Sequence, residues 1–181
     1  MKNIFVFIVA FLTGYSTVLH AQDVITRSAI TFEIKNLGIT TSGSVGGLIT
    51  RVHFTPANIN TSTLEASVDV NTINTDNSSR DEHLRSADFF DVARYPKIML
   101  KSVAFKHKSG SNYMGTFILT IKGKPKQVEI PFTFVDKENT IGFKGMFKIN
   151  RLDFGVGSES VILSNDVVIN IDCEEKQQGP V

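Results

Sequence analysis

The chain contains no tryptophan and one cysteine, Cys173, among its 181 residues. A single cysteine excludes an intrachain disulfide and any cluster of cysteine ligands around a metal. Cys173 sits in an alternating segment with nothing basic beside it to stabilise a thiolate, which points to an inert, half-buried thiol. Excess charge is missing too, since 19 Lys and Arg stand against 18 Asp and Glu. Nucleic acids and strongly anionic surfaces are recognised by basic patches, so neither is an expected partner. His53, His83 and His107 lie far apart and form no HxH or HExxH spacing. No metal site and no cofactor is therefore expected. A GxSxG nucleophile elbow is absent, and the serines near the histidines fall in turns or a helix cap. Internal repeats and low-complexity linkers are also lacking, so the chain reads as one domain.

No apolar run approaches the roughly 20 residues that span a bilayer. The longest, Ile4 to Leu12, follows Lys2 and precedes the small-residue site Leu19-His20-Ala21. That order is the pattern of a secretory signal over residues 1–21, cut after Ala21, with export to the periplasm or beyond. No cysteine stands at the cut to carry a lipid anchor. The remaining chain of 160 residues from Gln22 keeps 18 basic and 18 acidic residues, because only Lys2 is lost. It is long enough for one full core.

What remains is rich in phenylalanine: eleven of the fourteen lie beyond Ala21. Phenylalanine has no hydrogen-bonding handle and suits a greasy core or cavity wall. Period-two alternation predicts strands at Ala29 to Ile34, Val45 to Phe54, Leu64 to Val70 and Lys97 to Phe105. Four more follow at Tyr113 to Ile121, Gln127 to Phe134, Thr140 to Ile149 and Val161 to Cys173. Short turns between them fit an all-β fold, either an up-and-down antiparallel barrel or a sandwich. Glycines 46, 47, 115, 142 and 145 fall inside strands, where they mark bends or close approaches. Residues 174–181 read as a polar tail.

Only about residues 79–90 show helical spacing. Ser79 and Glu82 have capping-box spacing, and Arg80, Asp81, His83 and Arg85 lead into Phe89 and Phe90. The segment could gate a ligand, form an active site or plug a core. Asp81 and His83 are two apart and do not share a helix face, which argues against a base and its orienting partner. Arg80, Asp81 and Arg85 are expected to bond loop carbonyls and carboxylates, or else to meet a ligand's head. A second irregular stretch, Asn150 to Gly157, suggests an Arg151–Asp153 cluster shaping a turn. No helix follows it that would cradle a phosphate.

An ordered series of segments resembles the YceI family of secreted, lipocalin-like lipid-binding proteins. It comprises Ser28 to Phe32, Phe54-Thr55-Pro56, Asn74-Thr75-Asp76, Arg80 to Leu84, Asp88 to Asp91, Tyr95-Pro96, Gly115 to Pro125 and Asn150 to Gly155. The resemblance implies an eight-stranded antiparallel barrel over residues 22–173, with a short helix packed on it and an elongated apolar cavity. It also implies a long-chain amphiphile, isoprenoid or fatty-acid-like, as ligand and partner, while the lack of positioned nucleophile–base geometry reads as no enzyme. Thr55 and Val45 depart from the family pattern, where Asp and an aromatic are common.

On this reading Phe32, Phe54, Phe89, Phe90, Phe117, Phe143, Phe147 and Phe154 line the cavity. Arg80, Asp81, His83 and Arg151 form the polar cluster, at a head group or in a structural role. The rival readings are an interaction protein with a self-filled barrel, and an enzyme acting on such lipids. A second copy of the chain, giving a homodimer, could complete an open cavity. N-terminal sequencing of the exported protein is expected to start at Gln22; a product that still begins at Met1 would contradict the signal.

Overall fold

The computed structural model describes residues 24–176. Residues 1–21, read as a signal, and residues 177–181 of the expected tail lie outside the described residues. Eight strands follow one another around a closed barrel: β1 (Val24–Asn36), β2 (Ile39–His53), β3 (Thr63–Asn74), β4 (Lys97–Ser109), β5 (Asn112–Ile121), β6 (Lys124–Lys137), β7 (Thr140–Asn150) and β8 (Leu163–Lys176). Every neighbouring pair is antiparallel, and β1 closes on β8 with Phe32 opposite Ile169 and Ile34 opposite Val167. One helix, α1 (Ser78–Arg85), and two short 3₁₀ turns, Pro56–Thr61 and Arg151–Phe154, complete the fold. Among the described residues no helix is long and apolar enough to cross a membrane.

Alternation explains most inward faces. Tyr113, Phe117, Leu119 and Ile121 are buried along β5, as are Ile130, Phe132 and Phe134 along β6. Register shifts break the rule at several places, and two of them redirect core residues. At Gly47 the backbone takes φ +66°, and the β2–β3 register shifts between Gly46 and Ile49. The extra residue lets Val45 and Leu48, of opposite parity, both face inward. A Cβ at Gly47 would stand 2.8 Å from Asp69 Cβ, so both the backbone angle and the space require glycine. In β4 the register shifts between Ser102 and Ala104, which exposes Val103 and turns Phe105 into the core.

The ends of the barrel differ. Around the Pro56–Thr61 turn, Phe54 packs edge-on to Phe105 at 5.2 Å and to Tyr113 at 5.1 Å, and tilted on Phe134 at 4.6 Å. Phe132 and Phe143 complete this aromatic stopper at 5.7 and 5.9 Å. The other end carries α1, the Arg151–Phe154 turn and the β1–β2 and β5–β6 hairpins.

Several strand ends shift, β1 starting at Val24 rather than Ala29 and β2 at Ile39 rather than Val45, and two further elements differ from expectation. The helix ends at Arg85 rather than near residue 90, and its cap is Asn77, not Ser79. Asn77 Oδ1 accepts the Arg80 N–H at 3.0 Å, which removes the need for a Ser79–Glu82 box. At the other terminus Ser86 turns extended, and the chain folds back through Asp91 N–H to Ser86 O at 2.8 Å. The second difference is in β8, which continues through Lys176, so Glu174 and Glu175 are strand residues rather than tail. Barrel closure supplies partners on both sides, Arg27 on β1 and Gly142 on β7 for Glu174. Replacing Phe54 by Ala removes the centre of the stopper and is expected to lower stability by about 3 kcal/mol, read by urea unfolding.

Candidate ligand cavity

Inward side chains do not fill the barrel. They leave a cavity of about 390 Å³. Its walls are aliphatic and aromatic, drawn from all eight strands, with Val45, Val68, Leu100, Leu119, Ile130 and Ile169 among them. Of the candidate phenylalanines, Phe32, Phe89, Phe90, Phe117, Phe143, Phe147 and Phe154 line the space. Phe54 does not; it is spent in the stopper, because β2 has carried it past the cavity floor.

Polar groups gather at the α1 end. Arg80 and His83, three apart on α1, share the face that meets the cavity mouth, where both are exposed. The His83 ring stands edge-on to Phe89 at 4.8 Å. Asp81 does not line the cavity and takes the structural role rather than the head-group one. It is buried against the end of β3, where Oδ1 accepts the Thr75 N–H at 2.9 Å and the Thr75 hydroxyl at 2.5 Å. Arg80 Nε donates to Thr75 Oγ1 at 2.7 Å and Nη2 to Thr75 O at 2.6 Å. Arg85 reaches Asn71 O and Ile73 O at 3.0 and 2.9 Å. The helix is thus pinned to one strand end by bonds to the backbone and to a threonine, not by carboxylate pairs.

Arg151 is the buried cation of the site. No Arg151–Asp153 pair forms. Instead Nε donates to Ser164 O at 2.9 Å, Nη1 to Val156 O at 2.9 Å and Nη2 to Asn165 Oδ1 at 3.1 Å. Among the described residues no carboxylate bonds to it, and burial pushes its pKa down from the usual guanidinium value. A buried cation satisfied only by neutral oxygens keeps its positive field. The chain wraps over it tightly. Gly157, at φ +68°, would bring a Cβ within 2.9 Å of Arg151 Nη1 and 3.0 Å of Phe89 Cε1, and its N–H binds Asp88 O at 3.1 Å.

Other participants escaped sequence reading. Lys122 Nζ donates to Ala87 O at 2.8 Å and Gly155 O at 3.2 Å, tying the segment after α1 to the loop after β7. No local pattern marks it. Glu175 lines the cavity and is buried; continuing the parity of Val167, Ile169, Ile171 and Cys173 would have found it. Cys173 also lines the cavity, its thiol pushed up to about 12 by burial, then by the charges of Glu175 and Asp172. Among the described residues no three His, Cys, Asp or Glu side chains stand together to hold a metal ion.

A closed eight-stranded antiparallel barrel that keeps an apolar cavity beneath a helix defines the lipocalin-like class. Within that class the match is specific: the profile of the YceI-like domain covers residues 23–175, and the chain belongs to that family. A UPF0312 protein of Vibrio cholerae is 27% identical over 160 residues, 83% of each chain. Burkholderia cenocepacia BcnA superimposes with a TM-score of 0.77 at 26% identity, over 81% of this chain and 95% of its own. A polyisoprenoid binding domain from Saccharophagus degradans, 13% identical, shares the fold with a TM-score of 0.65 over 87% of this chain and 98% of its own.

Two outcomes follow from this geometry. Gly157→Ala forces a left-handed alanine against Arg151 and Phe89 and is expected to cost about 1–3 kcal/mol, read as a lower midpoint of thermal unfolding. Cys173 should resist thiol reagents in the native protein at pH 8 and react fully once unfolded, because the raised pKa keeps it protonated.

Proposed function

We propose that the protein is an exported carrier that holds one long-chain apolar amphiphile inside the barrel. The observation that carries this reading is the cavity itself: about 390 Å³ walled by apolar side chains, with cationic groups at one end. Such a volume falls within the ~300–1,000 Å³ of small-molecule sites. Each methylene moved from water into it contributes about 0.8 kcal/mol, so ten or more carbons give ample driving force before ordering costs. An isoprenoid or fatty-acid-like tail suits the aliphatic walls, and its polar head lies near Arg80, His83 and Arg151. The Saccharophagus degradans domain, described as polyisoprenoid binding, supports this ligand class through the shared fold.

Binding without turnover fits the same residues. Asp81 is committed to Thr75, and Cys173, the thiol that lines the cavity, is kept protonated by burial and by the charge of Glu175 rather than activated as a nucleophile. Carriage of such a molecule between membranes suits a location in the periplasm or outside the cell, consistent with cleavage after Ala21.

An organic extract of the purified protein, examined by mass spectrometry, should yield a long-chain lipid near one per barrel. Val68→Trp fills the cavity and is expected to weaken binding of a fluorescent long-chain fatty acid by roughly ten-fold or more while the fold persists. No lipid in the extract, together with no uptake of the probe by the wild-type protein, would overturn the carrier reading.

A further inference from the structure

Resting on that reading, the mouth of the barrel carries a feature that cavity binding does not explain. The β1–β2 turn is Leu37-Gly38, with φ +51° and +77°. Two consecutive left-handed residues are the signature of a type I′ hairpin, where Asn-Gly or Asp-Gly is favoured. A leucine in this conformation is strained. The β5–β6 turn has the same form, but there Lys122 uses its side chain to clamp Ala87 and Gly155. The Leu37 side chain is 70% exposed and lies outside both core clusters.

Leu37 is not alone. Its N–H donates to Ile162 O at 2.8 Å, which fastens the hairpin to the loop entering β8. Ile39 on the same hairpin, and Ile162 with a fully exposed Val161 in the loop it binds, are exposed too, so four aliphatic side chains reach solvent along this rim. The hairpin tip also projects. Residues 39–43 of β2 pair with β1, whereas β3 first meets β2 at Ser44 opposite Asn74. Directly beneath the tip, Asn36 pairs with Leu163, and both line the cavity, as does Thr41. The aliphatic tips therefore continue the cavity wall out through its mouth.

We propose that this collar is a membrane-docking surface, which dips into the outer layer of a lipid bilayer and sets the cavity mouth against it. Four side chains expose only a few hundred Å², well below the ~800 Å² per partner of a stable dimer. They include no Trp, Tyr or Arg of the kind that anchors protein interfaces. Protruding aliphatic tips instead match shallow, reversible insertion at the acyl boundary. Charge within the collar adds little, since exposed Lys35 and Glu159 flank it with opposite signs. The docking that the aliphatic tips supply should therefore persist at high salt, even where attraction between the rim cations and anionic lipid is screened. An apolar molecule then passes from bilayer to barrel without crossing water.

The test is flotation with phosphatidylethanolamine–phosphatidylglycerol vesicles, using wild type, Leu37→Asn, and a triple variant that adds Val161→Ser and Ile162→Ser. Wild type should float with the vesicles at low and high salt. The triple variant should bind roughly ten-fold more weakly or less, because three of the inserted side chains are gone. Its extraction of a vesicle-loaded fluorescent fatty acid should slow in proportion, while uptake of the free fatty acid from solution is unchanged. Leu37→Asn alone should raise the thermal midpoint, since it restores the favoured turn, and still weaken flotation. Failure of wild type to float, or equal flotation of both variants, overturns the proposal. So does a concentration-dependent dimer that the triple variant abolishes without any vesicle binding, which would make the collar an interface between copies. Flotation by wild type with no uptake of fatty acid from solution would support the collar while sinking the carrier reading.

Discussion

The pairing of β1 with β8 is the constraint on which everything else rests. Without it the sheet has two open edges and no inside. With it, no strand is left as a free edge of the sheet, and the inward residues of eight strands face one another across a fixed width. That width exceeds what these residues fill. Bulges at Gly47 and Ala104 then decide which side chains face in, by moving the alternation on by one residue. The cavity is thus a consequence of closure and register rather than of any single residue.

The two ends solve different problems. At the Pro56–Thr61 end, aromatic rings stack edge to face and exclude water by contact alone. At the α1 end, cationic side chains tie the segments to backbone oxygens. Arg80, Arg85, Lys122 and Arg151 all donate to carbonyls. Tethers of this kind hold the rim without consuming positive charge in carboxylate pairs, so the mouth remains favourable to a polar or anionic head. Rim and collar together describe an opening suited to an amphiphile: apolar on one side, cationic on the other.

Much of this was legible in the sequence because period-two alternation reports one buried face directly. All eight strands fall where Leu64 to Val70, Gln127 to Phe134 and their counterparts alternate. Seven of the eight candidate phenylalanines reach the cavity for the same reason. Phe54 fails because parity says inward but not how far along the barrel axis. Asp81 was legible as a group that pins the helix, but its partner was not, because nothing local places Thr75 at the end of β3 beside it. Arg151 and Lys122 depend on loops that meet only after closure, and nothing local encodes that meeting. Helix boundaries moved because Asn77 caps as well as Ser79 does, and local signals cannot rank the two.

The central claim is that the interior, rather than the outer surface, receives the ligand. Methyl resonances of Val68, Leu119 and Ile169 in wild-type protein, followed by NMR during titration with a long-chain fatty acid, test it most directly. The account predicts saturable shifts at these three buried positions, with outer-face Met99 and Met146 unchanged. Shifts confined to the outer face, with the interior methyls silent, would contradict it.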